Sequence, residues 1–141
     1  MEKMNLKELF EKDNYVKSSN MEFVKLEGDN LVLKMNPDKN QMNAYNILHG
    51  AQMFSLMDTA AGCLCIINGK KAVTLDSSIN FIASSVLGEE VFSKTKIIHL
   101  GRSTAVVEVE AHTNKKLLAK GSFTLFVVDE MKISGNEFLN N

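Results

Sequence analysis

Residues 46–63 read NILHGAQMFSLMDTAAGC. The apolar and small residues from Gly50 to Ile67 predict a helix, and Asn68-Gly69 is a typical helix end. At 1.5 Å per residue this helix is about 27 Å long, and no other segment predicts one of that length. Asp58 lies near its middle, more than ten positions from the nearest charged residues in the sequence. Because a carboxylate without a partner is costly to bury, we expect Asp58 to have a function.

The residues around Asp58 divide the helix into two faces. Small side chains predominate at three, four and seven positions from Asp58, namely Ala51, Phe54, Ser55, Ala61, Gly62 and Cys65. A bulkier stripe, predicted to face the core, consists of Met53, Met57, Ala60 and Leu64. The small stripe leaves room for a ligand or for another chain. A purely structural role for Asp58, in a cap or an ion pair, has no charged partner within one helical turn to support it.

The remaining segments predict a sheet that covers the helix. Alternating or β-branched residues predict strands over 21–27, 31–36, 73–81, 90–100, 104–112 and 117–128. Gly28-Asp29-Asn30 and Thr113-Asn114-Lys115 are typical of hairpin turns, whereas the polar residues 38–48 predict a loop. We therefore expect an α+β fold in which a mainly antiparallel sheet of five or six strands, with its last strands in a meander, wraps around the helix.

A single domain is predicted over residues 1–141, with an additional segment at each end. Residues 1–17 are predicted as an N-terminal helical extension, because apolar residues at helical spacing within 5–13 indicate a short amphipathic helix, either a lid or a brace. The polar residues from Asp129 onward predict a frayed C-terminal tail, taken as 130–141.

Bulk properties exclude several classes of function. The formal net charge is −1 and no basic block is interleaved with aromatic residues, so no nucleic-acid partner is predicted. Polar residues including Asp58 interrupt the long helix, and the N-terminus lacks the apolar run of a signal sequence, so we expect a cytoplasmic protein without a membrane partner. Cys63 and Cys65 point in different directions on one helix and are predicted to be reduced core residues. No metal site and no cofactor are predicted.

His49 and Gly50 stand at the start of the long helix. There the first backbone N–H groups lack internal partners and the helix dipole is positive, so this end can receive a developing oxyanion. Gly50 has no side chain and allows a carbonyl oxygen to approach its N–H closely. The alternative for His49 is an ordinary N-terminal contact, and no base partner near it in sequence supports a histidine-driven nucleophile.

The spacing of these residues matches a known family. Asn43 precedes His49-Gly50-Ala51 with five residues between, Asp58 follows the histidine by nine positions, and Thr74 precedes the run LDSSINF. This pattern resembles the hotdog-fold acyl-CoA thioesterases of the PaaI-like (phenylacetate-pathway) group, over about residues 40–126. The family commonly has two glycines after the histidine, and here the second is Ala51.

The resemblance implies a role for each matching residue in the hydrolysis of acyl-CoA to free acid and coenzyme A. Asp58 would act as general base on water or as nucleophile on the thioester carbonyl. The Gly50 N–H would polarise that carbonyl, Asn43 and His49 would orient the thioester and its leaving sulfur, and Thr74 would position the water. The family is active as a homodimer with sites at the interface, usually assembled into a homotetramer, so Asp58 of one chain would face His49 and Gly50 of the other.

A second segment, His99-Leu100-Gly101-Arg102-Ser103, resembles the family's contact with coenzyme A. Gly101, Arg102 and Ser103 are therefore expected to bind substrate, as is Phe81 beside the acyl group. Arg102 is the only arginine, and its guanidinium suits the nucleotide phosphates of coenzyme A. A solvated charge at a strand end is the alternative for Arg102.

Three questions stay open at the level of sequence. Apolar residues near the site, such as Met53, Phe54 and Phe81, fit either an aryl or a medium-chain acyl group. A non-catalytic acyl-CoA-binding or assembly module remains an alternative to the enzyme. A hotdog hydratase or dehydratase is less favoured, because the Asp-x4-His arrangement of the enoyl hydratase branch is not found.

Overall fold

The computed structural model describes residues 3–4, 6–130 and 132–133. Its helices and strands run in the order β1 (Lys3–Met4), α1 (Leu6–Lys12), α2 (Asn14–Ser18), β2 (Met21–Glu27), β3 (Asn30–Met35), α3 (Gly50–Ile67), β4 (Lys70–Phe81), β5 (Val91–Leu100), β6 (Thr104–His112), β7 (Leu117–Glu130) and β8 (Lys132–Ile133). One turn of 3-10 helix, Lys39–Gln41, interrupts the loop between β3 and α3.

The long helix α3 has the predicted bounds. His49 caps its start, and Asn68 ends it by donating its backbone N–H to the carbonyl oxygens of Leu64 and Cys65. The bulky stripe is buried as predicted, and its members Met53, Met57, Ala60 and Leu64 are at most 2% exposed. By length and composition alone the helix could cross a membrane, but its apolar residues form the core on which the sheet packs.

The prediction for the small stripe around Asp58 is only partly right. Ala51 is exposed and Gly62 is half-buried, but Ala61 and Cys65 belong to the fully buried core. The same core cluster contains Val16 of α2. The open side of α3 is therefore narrower than the spacing alone indicates, because α2 contributes to the core near the helix's C-terminal half.

Six strands form one antiparallel sheet around α3, in the order β2-β3-β5-β6-β7-β4. The predicted hairpin of β2 and β3 is confirmed, and β5, β6 and β7 form a meander. The strand β4 lies outside this meander, since it pairs with β7 at the edge of the sheet. Residues 82–90 carry the chain across the end of the sheet, where the carbonyl of Ser85 accepts the N–H of Leu48 at 2.9 Å.

A β-bulge at Leu75 changes which side of β4 faces the helix. Thr74 pairs with Leu125, and the register shifts before Asp76. Directly opposite residues share a face, so Thr74 lies on the side of buried Leu125, toward α3. Beyond the bulge the odd-numbered residues of 77–81 take that side. Simple alternation, which groups Thr74 with Asp76 on a polar face, is therefore wrong at this position, because one extra residue reverses the phase of a strand.

The N-terminal extension contains two helices where one was predicted. The expected helix is α1, and Asp13 then caps α2 by accepting the backbone N–H groups of Tyr15 and Val16. At the other end of the chain the tail begins later than expected, because β7 extends to Glu130 and β8 pairs with β1. The rest of the predicted tail, 134–141, lies outside the described residues.

Candidate active site

The N-terminus of α3 exposes a backbone donor beside an imidazole. His49 accepts the N–H of Ala51 on its Nδ1 at 3.0 Å, so the ring carries its proton on Nε2 when neutral. The N–H groups of Gln52 and Met53 both donate to the His49 carbonyl. Of the first four backbone N–H groups of α3, only that of Gly50 has no acceptor among the described residues. Gly50 N–H and His49 Nε2–H are thus two open donors at one helix end.

Phe81 lies against this helix end. An ideal Cβ built on Gly50 would come within 3.7 Å of the Phe81 ring, while the ring remains 53% exposed. The structure therefore brings together three residues that sequence reasoning assigned to the site. The exposed ring face is available to an apolar group placed over the Gly50 N–H.

Asn43 shapes the loop that leads to His49. Its Oδ1 accepts the backbone N–H groups of Tyr45 and Ile47 at 2.9 and 3.3 Å, and Asn46 adopts a left-handed φ of 62°. The Asn43 oxygen is thus used within the loop. The Nδ2 group has no acceptor within the described part of the chain and remains able to donate to a ligand.

Asp58 is half-buried and has a partner that sequence spacing does not reveal. The hydroxyl of Thr74, on β4, donates to Asp58 Oδ1 at 2.6 Å. Oδ2 has no hydrogen-bond donor within the described ranges, and both residues line a cavity of about 390 Å³. The carboxylate therefore lies neither in a dry interior nor in an ion pair. One oxygen is held by Thr74, and the other is available for chemistry.

The turn between β5 and β6 contains the segment expected to contact coenzyme A. The N–H of Gly101 donates to the carbonyl of Thr104 at 2.8 Å, and a Cβ on Gly101 would meet His99 Nε2 at 2.7 Å, so a larger residue would require the His99 ring to move. Arg102 and Ser103 are exposed. Pairs of opposite residues on neighbouring strands show that this end of the sheet and Thr74 are three strand spacings apart, a distance of about 14 Å.

Gln41 is a buried polar residue that sequence reasoning missed, because a lone glutamine in a polar loop has no distinguishing spacing. It is only 4% exposed. Its Nε2 donates to the Ser19 carbonyl at 2.9 Å and to Gln52 Oε1 at 3.0 Å. Its Oε1 accepts from Asn20 Nδ2 and from the Asp38 N–H. Gln41 thus connects the end of α2, the site loop and α3.

We expect Gln41→Leu to lower the free energy of unfolding by about 2–3 kcal/mol, because buried groups would lose their partners. The backbone carbonyl of Gln41 also accepts the His49 N–H at 3.0 Å, so the site loop would loosen with it. Urea titration of the Gln41→Leu protein and the wild type would measure the effect. Asn40→Ala, a change at an exposed neighbouring position, is the control. Equal stability of the Gln41→Leu protein and the wild type would contradict this role.

The candidate residues fall into two groups at different levels of α3. Gly50 and Asp58 are eight residues apart on the same helix, which corresponds to about 12 Å along its axis. Reacting groups must come within about 3–3.5 Å of one another. Within one chain, a single thioester carbonyl therefore cannot contact both the Gly50 N–H and the Asp58 carboxylate.

Comparison with known proteins places this chain in a family. Residues 45–120 match the thioesterase superfamily. Over 95 residues the chain is 36% identical to a putative esterase of Archaeoglobus fulgidus, a match that spans 65% of this chain and 60% of that protein. It is 26% identical over 106 residues to the acyl-coenzyme A thioesterase PaaI of Escherichia coli, which spans 75% of this chain and 76% of the relative.

A solved structure gives the same fold. A hypothetical thioesterase of Streptococcus pneumoniae, solved with coenzyme A, superposes with a TM-score of 0.77 at 29% identity, covering 82% of this chain and 93% of that one. That protein was also solved as an Asp→Ala and as a Thr→Ala variant, at positions sixteen residues apart. The chain described here belongs to the thioesterase superfamily and has its hotdog fold.

Proposed function

We propose that this thioesterase hydrolyses acyl-CoA thioesters to a free acid and coenzyme A, with Asp58 as general base or nucleophile and the Gly50 N–H as the oxyanion donor. The observation that carries the proposal is the pair of open groups on α3: a backbone N–H without an acceptor, and a carboxylate whose second oxygen has no donor while Thr74 holds the first. The first can stabilise negative charge on a carbonyl oxygen, and the second can accept a proton.

The two groups meet if two chains associate through β4. This strand is a sheet edge of 12 residues, and Val73 and Leu75 on it are 52% and 60% exposed. A long, apolar edge of this kind favours pairing with another strand. Antiparallel pairing of two β4 strands about a two-fold axis through Ser78, with Leu75 as the extra residue of the bulge, sets Thr74 opposite the partner's Phe81 on the side of α3.

Such a dimer completes two sites. Thr74 is bonded to Asp58 and Phe81 lies against Gly50, so pairing Thr74 with the partner's Phe81 brings Asp58 toward Gly50 of the partner subunit. A homodimer formed in this way, further assembly into a homotetramer and a cytoplasmic location complete the proposal.

The reaction follows from which groups of the proposed site can accept and donate protons. As general base, Asp58 Oδ2 takes a proton from water while the water oxygen attacks the thioester carbon. The carbonyl oxygen becomes an oxyanion at the Gly50 N–H. Collapse of this intermediate breaks the carbon–sulfur bond, and the thiolate leaves with the proton that Asp58 had accepted. As nucleophile, Asp58 would instead form an acyl anhydride that water then hydrolyses. Thr74 restrains the carboxylate in both routes.

The Streptococcus pneumoniae relative supports the assignment. It was solved with coenzyme A, and its two alanine variants replace an aspartate and a threonine with the spacing of Asp58 and Thr74 in this chain. The test is release of coenzyme A thiol from straight-chain and aryl acyl-CoAs, measured beside calorimetric binding of the same compounds. We expect turnover of at least one class. Binding without thiol release would favour a non-catalytic acyl-CoA-binding module.

Arg102→Ala is expected to raise KM for acyl-CoA about tenfold with little change in kcat, because a charge-assisted phosphate contact is worth roughly 1.5–3 kcal/mol. The same thioester on pantetheine, which lacks the nucleotide phosphates, should be hydrolysed equally by variant and wild type. The control is Lys115→Ala, which removes an exposed cation in the turn between β6 and β7. An unchanged KM for acyl-CoA would favour a solvated charge.

A further inference from the structure

The cavity beside Asp58 and Thr74 is walled on one side by the N-terminal extension. It measures about 390 Å³, within the range of small-molecule sites. Leu9, Phe10 and Val16, from α1 and α2, line it. These apolar side chains line the same cavity as Asp58. The extension therefore forms part of the surface that a group attached to the reacting carbonyl would meet.

The α3 wall of the same cavity is uncharged at its centre. Cys63 and Ile66 line it. Burial, reinforced by the nearby charges of Asp13 and Asp58, raises the pKa of the Cys63 thiol to about 12. The thiol therefore stays protonated at neutral pH and acts as a small apolar side chain.

Two carboxylate side chains are among the polar groups that line the cavity. Asp58 lies beside Thr74, and Asp13 lies in the wall formed by the extension. Asp13 Oδ1 accepts the N–H groups of Tyr15 and Val16 at 3.0 and 3.1 Å, which holds the carboxylate in place at the start of α2. An acyl group that ends in a carboxylate would add a third negative charge to a partly enclosed space.

The extension is attached to α3 at a defined point. The hydroxyls of Tyr15 and Ser55 lie 2.6 Å apart, and Ser55 donates its own proton to the Ala51 carbonyl. Tyr15 is therefore the donor to Ser55. The Gln41 network holds the far end of α2 as well. The wall is thus positioned by directional bonds as well as by apolar contact.

We propose that residues 6–18 form the outer wall of the acyl pocket and limit the substrates to CoA thioesters of uncharged, apolar acyl groups whose size this segment sets. The inference rests on the proposed function, because that function places the thioester carbonyl beside Asp58. Phe10 limits the length of the acyl group from one side and Cys63 from the other, while Asp13 discriminates against acyl groups with a terminal carboxylate.

The size of the pocket is tested with kcat/KM for straight-chain acyl-CoAs of increasing length. Phe10→Ala should raise the ratio of long-chain to short-chain kcat/KM by roughly tenfold, and Cys63→Leu should lower it by a similar factor, since one methylene in a pocket is worth 10-fold or more. Phe92→Ala is the matched control, because Phe92 stacks on His112 away from the cavity. Chain-length profiles unchanged in both cavity variants would overturn the inference.

The charge of the pocket is tested with Asp13→Asn, which keeps an N-cap acceptor but removes the carboxylate. The ratio of kcat/KM for a dicarboxylic acyl-CoA to that for the neutral acyl-CoA of equal length should rise about tenfold. An unchanged ratio would overturn the charge filter. A wild-type protein inert toward the whole panel would overturn the proposed function together with this inference, whereas activity that no cavity variant redirects would overturn the inference alone.

Discussion

Asp58→Asn is expected to lower kcat for acyl-CoA hydrolysis by about 10³-fold, within the 10²–10⁴-fold range for loss of a general acid–base group. Asparagine has the shape of aspartate and can still accept the Thr74 hydroxyl, which lies 2.6 Å from Oδ1. It cannot take a proton from water or form an acyl anhydride. The loss should therefore appear in kcat, while the free energy of unfolding stays close to that of the wild type.

The control for this prediction is Asp129→Asn, the same chemical change at an exposed position near the end of β7. Stopped assays of thiol release with purified proteins, beside urea titrations, would separate chemistry from folding. An Asp58→Asn protein that keeps more than about a tenth of the wild-type kcat would exclude Asp58 as the group that carries the reaction.

Gly50→Pro is expected to reduce kcat by about 10²–10³-fold, the usual cost of removing one oxyanion donor. Proline is tolerated at the first position of a helix, because the N–H there has no partner within the helix. It also requires an extended residue before it, and His49 already has φ −62° and ψ 134°. The substitution thus removes the candidate donor without disturbing α3. Gly50→Ala keeps the N–H and should reduce kcat far less.

Mixing two inactive proteins gives the sharpest test of a shared site. If Asp58 of one chain works with Gly50 of the partner subunit, a mixed dimer of Asp58→Asn and Gly50→Pro contains one intact site and one doubly altered site. Random association makes half of the dimers mixed, so refolding an equal mixture should restore about a quarter of wild-type activity. A mixture as inactive as its components would contradict a site shared between two subunits.

The bounds and core face of α3 followed from the sequence, because they depend on local chemistry. An unbroken run of helix-compatible residues ends at Asn68-Gly69, and the large side chains recur at helical spacing. Burial of Met53 and Leu64 is the direct consequence of that spacing. The strands β5, β6 and β7 were predicted for the same reason, since β-branched residues and turn signals act within a few positions.

The Asp58–Thr74 contact depends on long-range pairing that spacing does not encode. It exists because β4 pairs with β7 and a bulge at Leu75 turns Thr74 toward the helix. The resemblance to the family brought Thr74 into the site, but simple alternation assigned it to the opposite face. Likewise, the spacing around Asp58 did not reveal that the N-terminal helices cover one side of its cavity.

The sequence by itself determined the long helix and the six strands of the main sheet, the bulky stripe of α3 that faces the core, and that the helix carries an acid needing an explanation. Only the tertiary structure decided which oxygen of that acid is restrained, which backbone N–H is left open, and which edge of the sheet is free to pair. The physical reason is the range of the interactions. Periodicity and capping act over one or two turns, whereas strand order, bulges and cavity walls arise from contacts between residues far apart in the chain.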